Sequence, residues 1–314
     1  MSDHNILERR VNVKSKRTEM QNVGKPTTGR SSVALCVAMA VAVLSGCEAR
    51  PTAIQPVASI AVSSPYLEAA AHDLLGHDAP LVALAGPSMC PGHFDMRPSQ
   101  LGDLSRCKLL LRFDFQQPLD AKLSDAVRRK LNIVPITASG GLCEPEVYLS
   151  ACQQIADALT TARLLEKSVA ERRMSEIERR LKQLTADVHR QIESARWRGT
   201  AVLASRHQEA FCRWLGLQSV GVFSAQDTAG VGEIDAAVQA GRSARVKAIV
   251  ANLPEGRRLA DALADRLHAP VVVFGNLPVS DDRTPSAPAF DRLVRQNVAA
   301  LLAVASSDPL QPAP

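Results

Sequence analysis

The stretch from residue 148 to residue 197 contains neither glycine nor proline, the two residues that most often interrupt a helix. Apolar residues recur through it at helical spacing, while charged residues fill the remaining positions. The apolar positions are Leu159, Ala162, Leu165, Val169, Met174, Ile177, Leu181, Leu184, Val188 and Ile192. A coiled coil would need a stricter heptad repeat over this length. The pattern predicts one long spine helix over residues 148–198.

On both sides of this stretch, short apolar runs alternate with helical patterns. Before it, strands are predicted at 60–62, 108–113 and 133–136, with an apolar run at 80–85 and helices at 66–75, near Ser99 and at 119–131. After it, strands are predicted at 200–204, 219–223, 247–251 and 270–274, with helices at 207–215, 233–240, 257–267 and 290–304. Such alternation is typical of parallel sheets covered by helices. The predicted fold class is therefore α/β, with two lobes, each a mostly parallel sheet covered by helices, joined by the spine helix.

The N-terminal segment has the features of an export signal. Basic residues precede an apolar run at residues 33–44, which is shorter than the roughly 20 residues that span a bilayer. The run leads into Leu-Ser-Gly-Cys at residues 44–47, which resembles the bacterial lipobox and marks Cys47 for lipidation. A signal peptide with an incidental cysteine and a short buried helix are the alternatives. Translation starting at Met20 is a further possibility, because the basic segment is longer than a signal needs.

These features predict the domain boundaries. We expect a signal peptide at 1–46, a tether at 47–58, an N-terminal lobe at 59–147, the spine helix at 148–198 and a C-terminal lobe at 199–314. The mature chain keeps roughly 265 residues, enough for two lobes with cores of their own. The net charge of +5 comes largely from the signal segment, so a nucleic-acid partner is not expected. We expect an extracytoplasmic monomer held at a bacterial membrane by lipid on Cys47.

Five cysteines follow Cys47, and an odd number leaves at least one of them unpaired unless it binds a metal or another chain. Cys107 and Cys152 are expected to be buried apolar residues. Cys90 and Cys143 are interpreted either as metal ligands or as a disulfide pair. The cysteine spacing alone leaves both interpretations open.

Three loop segments carry a resemblance to a known family. Residues 92–100, Gly-His-Phe-Asp-Met-Arg-Pro-Ser-Gln, are similar to the Pro-His-x-Phe-x-x-x-Pro-Ser loop of the solute-binding proteins of zinc and manganese ABC transporters. That resemblance implies that His93 is a metal ligand. Residues 144–149, Glu-Pro-Glu-Val-Tyr-Leu, are similar to the family's Asn/Asp-Pro-His-x-Trp-Leu. This second match puts Glu146 in the place of a ligand histidine, with Glu144 as its competitor.

The third segment, Ser-Arg-His-Gln-Glu-Ala-Phe at residues 205–211, is similar to the family's His-Asp-Ala-Phe, which a Tyr-Gly-Leu follows. Counted back from Gly216, the ligand position falls on Ser205, and His207 serves if the turn slips by two residues. In the fourth position the family has an acidic residue after the last strand, where this chain has Asn276. Asp281 and Asp282 could replace it if their loop folds back.

These residue types suit a divalent transition metal. Two imidazoles, from His93 and His207, and the carboxylate of Glu146 would suit Zn(II), Mn(II) or Fe(II), with zinc preferred over manganese. Cys90 and Cys143 each precede one of these residues by three positions. If either loop curls, a thiolate joins the site and favours zinc or Cu(I).

The resemblance implies a lipid-anchored solute-binding protein that captures a divalent metal between two lobes and delivers it to an ABC permease. The alternative is a diverged lipoprotein of the same fold that no longer binds metal and acts as a surface interaction module. A zinc hydrolase is the third hypothesis, but the sequence lacks His-Glu-x-x-His. Neither a nucleophile elbow nor a phosphate-loop spacing is present, so we do not expect an enzyme.

Overall fold

The computed structural model describes residues 59–86, 97–224, 230–279 and 288–305. All of them belong to one of the chain's two compact units, Pro56–Pro314. The predicted signal peptide and its Cys47 lie outside the described residues. So do four of the residues considered as ligands, which are Cys90, His93, Asp281 and Asp282.

The first lobe is built on a sheet of four parallel strands in the order β2-β1-β3-β4. Its strands are β1 Ile60–Val62, β2 Leu81–Ala83, β3 Leu109–Phe113 and β4 Asn132–Ile136. Its helices are α1 Pro65–Leu75, α2 Pro98–Leu104 and α3 Asp125–Arg128, with a 3-10 helix at Asp114–Lys122. The central strands β1 and β3 are buried along their whole length, as a sheet covered on both faces requires.

The second lobe repeats this arrangement, with strand order β6-β5-β7-β8 and all strands parallel. Its strands are β5 Ala201–Ser205, β6 Gln218–Phe223, β7 Ala248–Asn252 and β8 Val271–Phe274. Two connecting helices, α4 Pro145–Thr161 and α5 Lys167–Ser194, precede this lobe. Its own helices are α6 Glu209–Trp214, α7 Val231–Ala244, α8 Arg258–Leu267 and α9 Ala289–Ala305, with 3-10 helices at Arg206–Gln208 and Leu253–Glu255. The predicted α/β fold with two lobes is confirmed.

The prediction of one uninterrupted spine helix over residues 148–198 is wrong. Two helices cover this stretch, α4 Pro145–Thr161 and α5 Lys167–Ser194. Helix α4 ends because Arg163 takes a left-handed backbone conformation with φ of 56°. The amide of Leu164 then bonds to the carbonyl of Leu159 at 2.8 Å, which is the Schellman arrangement that closes a helix. Glycine usually occupies the position that Arg163 holds here, so the sequence does not indicate that the helix ends at this point.

The helix predicted at residues 119–131 is also largely absent. Pro118 lies inside the 3-10 helix Asp114–Lys122, and only the single turn of α3 follows. Proline cannot donate the backbone hydrogen bond that an α-helix needs at that point. The crossover from β3 to β4 is therefore less regular than its counterpart in the second lobe, which contains the ten residues of α8.

The lobes are joined through a partly buried cluster of charges. Arg180 of α5 lies 2.6 Å from Asp73 of α1 and 3.0 Å from Asp291 of α9. The hydroxyl of Tyr148 donates to Asp73 at 2.9 Å, and burial raises the pKa of Asp291. Because α1 belongs to the first lobe and α9 to the second, Arg180 links both lobes to α5.

Aromatic rings extend this connection into the core. Phe290 of α9 stacks on Tyr148 with ring centroids 4.0 Å apart, and it meets Tyr66 of α1 edge-on at 6.3 Å. One cluster of buried apolar residues continues from the first lobe through α4 and α5 into the second lobe. The two sheets are thus attached to a shared core. Within the described ranges, no helix combines the length and the apolar character needed to cross a membrane.

Candidate metal site between the lobes

Ligands of open parallel sheets bind beyond the carboxyl ends of the strands, where neighbouring strands connect in opposite directions. In the first lobe this point lies between β1 and β3. Ser63 follows β1, and its hydroxyl donates to Oε1 of Gln116 at 2.5 Å. The same oxygen accepts from the backbone amide of Phe113 at 2.9 Å, and both side chains are buried. The two hydrogen bonds described at this end of the first lobe join neutral groups.

In the second lobe the equivalent point lies between β5 and β7 and is charged. Ser205, the last residue of β5, donates to Oε2 of Glu255 at 2.7 Å, and Nδ1 of His207 lies 2.5 Å from Oε1 of Glu255. Burial raises the pKa of Glu255, but hydrogen bonds from His207, Ser205 and Asn252 outweigh it and lower the pKa overall. The hydrogen bond to Glu255 raises the pKa of His207. The lowered carboxyl pKa and the raised imidazole pKa favour a charged pair.

The two lobes touch where Cys143 of the loop before α4 meets the loop after β8. The Cys143 thiol donates to the carbonyl of Gly275 at 3.3 Å, and its Sγ lies 3.9 Å from Oδ1 of Asn276. Asn297 of α9 donates to the Cys143 Sγ at 3.8 Å and to the Gly275 carbonyl at 3.0 Å. Burial raises the pKa of the Cys143 thiol well above its ordinary value. Cys143 is a free thiol in the structure.

Gln208 brings a second side chain to the same carbonyl. It is completely buried, and its Nε2 donates to Oδ1 of Asn252 at 2.9 Å and to the Gly275 carbonyl at 3.2 Å. Its Oε1 is buried without a hydrogen-bond partner among the residues the structure describes. We call Cys143, Gln208, Asn276 and the Gly275 carbonyl the lobe junction.

A close approach of the backbones accompanies this junction. A Cβ atom at Gly141 would lie 3.1 Å from Cβ of Ala210 in α6 and 3.0 Å from Oε1 of Glu144. A side chain at 141 would therefore crowd Ala210 and Glu144 and require them to shift by a few tenths of an ångström. Glycine at this position permits the contact between the lobes.

Some of the residues that the sequence analysis proposed as ligands lie at the lobe junction, and others lie away from it. Cys143 and Asn276 come together there. Glu146 is exposed on the first turn of α4, whereas Glu144 is partly buried and accepts from the amide of Gly141 at 3.3 Å. Burial raises the pKa of Glu144. The side chain of His207 is 60% exposed and pairs with Glu255.

Across residues 59–86, 97–224, 230–279 and 288–305, no three His, Cys, Asp or Glu side chains lie close enough to hold a metal ion together. A donor set in this conformation would therefore need amide or backbone oxygens, or residues outside the described ranges. The predicted burial of Cys107 and Cys152 is confirmed, since they are 5% and 0% exposed.

Sequence reasoning missed Gln208. The signal was present in the motif His-Asp-Ala-Phe, because counting back from Ala210 and Phe211, rather than from Gly216, puts Gln208 at the histidine's place. The two counts disagree because α6 is short, covering only Glu209–Trp214. Counting back from Gly216 therefore does not locate the ligand position reliably.

Comparison with known proteins gives a family and a fold. The family model described as zinc-uptake complex component A, periplasmic, matches residues 60–304. No curated protein sequence matches the chain. A zinc-bound deletion mutant of ZnuA is 14% identical, with 82% of this chain and 100% of that chain covered and a TM-score of 0.62.

Two further solved structures have similar scores. A mutant of a manganese-bound periplasmic metal-binding protein from Candidatus Liberibacter asiaticus is 12% identical, with 78% and 98% of the chains covered and a TM-score of 0.65. The laminin-binding adhesin Lmb of Streptococcus agalactiae, also a mutant, is 13% identical, with 79% and 99% covered and a TM-score of 0.64. At these identities the similarity shows a shared fold.

Proposed function

Because the chain belongs to the family of zinc-uptake component A proteins, which are solute-binding proteins and not enzymes, we propose that it captures a divalent transition metal between its two lobes. Zinc is the preferred cargo and manganese the second choice. The observation that carries this proposal is the lobe junction, where Cys143 of the first lobe meets Gly275 and Asn276 of the second. This junction lies at the carboxyl ends of the strands, where α/β sheets bind ligands.

The donors at this place are compatible with a metal. A thiol and an amide oxygen 3.9 Å apart, with a second buried amide oxygen on Gln208, offer sulfur and oxygen ligands. His93 would supply an imidazole from the segment after β2. The ZnuA structure is bound to zinc and the Liberibacter structure to manganese, which supports a divalent cation as the ligand of this chain.

We further propose that the protein delivers its metal to an ABC permease as a monomer, while lipid on Cys47 anchors it to a bacterial membrane on the periplasmic or cell-surface side. The Arg180 ion pairs hold α1, α5 and α9 together, and the stacking of Phe290 on Tyr148 holds α4 to α9. Wide opening would break these buried contacts, which makes a large hinge motion costly. Metal release then depends on rearrangement of the loops that supply the ligands.

Metal content and affinity test the proposal directly. The chain lacking residues 1–47 would be assayed by elemental analysis and by competition titration with zinc and manganese, beside His93→Ala. His77→Ala is a matched control, because His77 is exposed at the end of α1. We expect one tightly bound metal in the parent and the control, zinc tighter than manganese, and at least about tenfold weaker binding in His93→Ala. A folded parent that binds neither metal contradicts the proposal.

A second function is favoured by the neutral character of the lobe junction. Gln208 bonds to Asn252 and shares the Gly275 carbonyl with Asn297, while Asn276 contacts the Cys143 thiol, so amides dominate the junction. A diverged member that no longer binds metal and acts as a surface interaction module would keep such a network. The similarity in fold to the laminin-binding adhesin agrees with this alternative. A folded, metal-free parent in the titration above would favour it.

A further inference from the structure

The first strand of the first lobe begins beside exposed basic residues. The carbonyl of Ser59, the residue before β1, accepts from the backbone amides of Lys108 at 2.8 Å and Leu109 at 3.2 Å. The carbonyl of Lys108 in turn accepts from the amide of Asn132, the first residue of β4, at 2.9 Å. The chain therefore enters β1 at the edge of the sheet where the loops that lead into β3 and β4 also end.

The loops at this edge carry more cations than acids. The connections into β2, β3 and β4 are residues 76–80, 105–108 and 129–131, and their one acid is Asp78. Their Lys and Arg side chains are all exposed, and we call them the basic edge: Arg106, Lys108, Arg129 and Lys130. Asp103 of α2 pairs with Arg106 at 2.5 Å, whereas α3 adds Asp125 and Arg128, whose charges cancel. Such a surface attracts an anionic partner.

The tether indicates which anionic partner the basic edge meets. Residues 47–58 lead directly to Ser59, so a chain anchored at Cys47 approaches the lobe at this edge. Fully extended, the tether spans at most about 40 Å. A linker of this length raises the effective concentration of the two surfaces that it joins into about the millimolar range, so a surface of modest affinity is sufficient. Each Lys or Arg near an anionic bilayer strengthens binding by about fivefold.

We propose that the basic edge binds anionic phospholipid headgroups, so that the first lobe rests on the membrane to which its tether is anchored. This inference rests on the proposed function, because the anchor at Cys47 is the reason for choosing a lipid partner. Parallel strands have their carboxyl ends at the opposite edge of the sheet, and Cys143 of the lobe junction lies on the loop after β4. The surface that binds lipid is therefore separate from the lobe junction.

The second lobe offers a matched control. Arg198 precedes β5, and Arg242 and Arg245 lie at the end of α7 and directly after it, before β7. All three are exposed, and they belong to the other sheet, whose first strand follows α5 instead of the tether. Replacing all three with glutamine removes three positive charges and leaves the basic edge unchanged. We call this triple substitution the control variant.

Vesicle binding of the chain from residue 48 onward tests the basic edge without any lipid on the protein. This chain contains the whole compact unit Pro56–Pro314. It would be sedimented with vesicles that mix phosphatidylglycerol, an anionic lipid, with phosphatidylcholine, and with vesicles of phosphatidylcholine alone. We expect binding to the anionic vesicles only. Binding should weaken as salt is added, because salt screens the attraction between exposed charges.

The edge variant combines Lys108→Gln, Arg129→Gln and Lys130→Gln. Arg106 is kept, because it pairs with Asp103. We expect the edge variant to bind anionic vesicles at least about tenfold more weakly than the parent, and the control variant to differ from the parent by less than about threefold. Both variants lose three positive charges, so only the position of the charge distinguishes them.

A second measurement needs no substitution and keeps the inference testable if the edge variant does not fold. The parent would be treated with a water-soluble reagent that acylates amines, with and without anionic vesicles, and the modified lysines identified by mass spectrometry. We expect Lys108 and Lys130 to lose reactivity on the vesicles. Lys247, which is exposed before β7 of the second lobe, should keep its reactivity.

The outcomes separate this inference from the proposed function. A parent that does not bind anionic vesicles, equal binding to neutral vesicles, an equal loss in both variants, or protection of Lys247 instead of Lys108 overturns the basic edge as a lipid surface. Both variants should keep the zinc affinity of the parent, so these results leave the proposed metal capture standing. A chain that binds vesicles through the edge but binds no metal overturns the metal capture alone. Mass spectrometry of Cys47 in exporting cells tests the anchor separately.

Discussion

In the first lobe the serine hydroxyl at the carboxyl end of β1 donates to a side-chain amide, whereas in the second lobe the serine hydroxyl at the carboxyl end of β5 donates to a carboxylate. Ser63 donates to Gln116, and Ser205 donates to Glu255. Each acceptor lies three residues past the end of the third strand of its sheet, β3 or β7. The two sheets also share one strand order. We call these contacts the strand-end pairs of the two lobes.

The difference between the strand-end pairs follows their surroundings. Gln116 is 4% exposed, and its oxygen accepts from the Phe113 amide and the Ser63 hydroxyl. The side chain of Glu255 is 15% exposed and has the imidazole of His207 at 2.5 Å. A charge is tolerated where water and a cation can reach it, and a neutral amide is used where burial is deeper. In the described structure, His207 therefore serves as the counter-charge of Glu255.

Replacing the neutral acceptor of the first lobe with a charged one should have the largest effect on the free energy of unfolding. Gln116→Glu introduces a carboxylate at a position that is 4% exposed, and we expect a loss of about 3 kcal/mol in the free energy of unfolding at neutral pH. Burial raises the pKa of the new carboxyl in the folded state, so the loss grows as pH rises above the unfolded value of about 4.3. Urea unfolding at pH about 7 and about 5 measures it. An equal loss at both pH values would contradict the charge argument.

The reverse exchange should have a smaller effect. Glu255→Gln keeps an acceptor for Ser205 but removes the charge, and we expect a loss of about 1 kcal/mol. Because the hydrogen bond to Glu255 is what raises the pKa of His207, that pKa should fall toward its ordinary value in the variant. Nuclear magnetic resonance titration of the His207 ring reports this shift. Glu233→Gln is the control, since Glu233 pairs with Arg206 instead. An unchanged His207 pKa would show that Glu255 does not set it.

The repeated sheet architecture could be predicted from the sequence because buried parallel strands are short apolar runs with clear boundaries. The break between α4 and α5 could not. Arg163 adopts the left-handed conformation that glycine usually takes, and Arg196 does the same after α5. Tertiary packing of the residues that follow each arginine stabilises these helix ends, and a local pattern does not reveal that packing.

The candidate site was predicted only in part for a related reason. Cys143 lies two residues before α4 and Asn276 two residues after β8, so each is on a loop at the carboxyl ends of the strands of its own lobe, where ligand loops are expected. Which residue of the turn after β5 faces inward depends on the 3-10 helix Arg206–Gln208. A shift of one residue there exchanges His207 for Gln208, and sequence spacing does not fix it. The sequence analysis favoured His207 because imidazole is a common metal ligand, whereas the backbone conformation buries Gln208.

The smallest expected effect concerns the exposed half of the charged pair. His207→Ala removes the cation from the strand-end pair of the second lobe, and a partly exposed ion pair contributes less than about 1 kcal/mol. The folded state raises the pKa of His207, so its contribution is present below the unfolded pKa of about 6.5 and is lost as pH rises through the folded pKa. Unfolding of the parent and the variant, compared at pH about 6 and about 9 with a chelator present, should differ only at the lower pH. A difference of the same size at both values would mean that His207 stabilises the second lobe through packing. In that case the charge of His207 would contribute nothing to the free energy of unfolding.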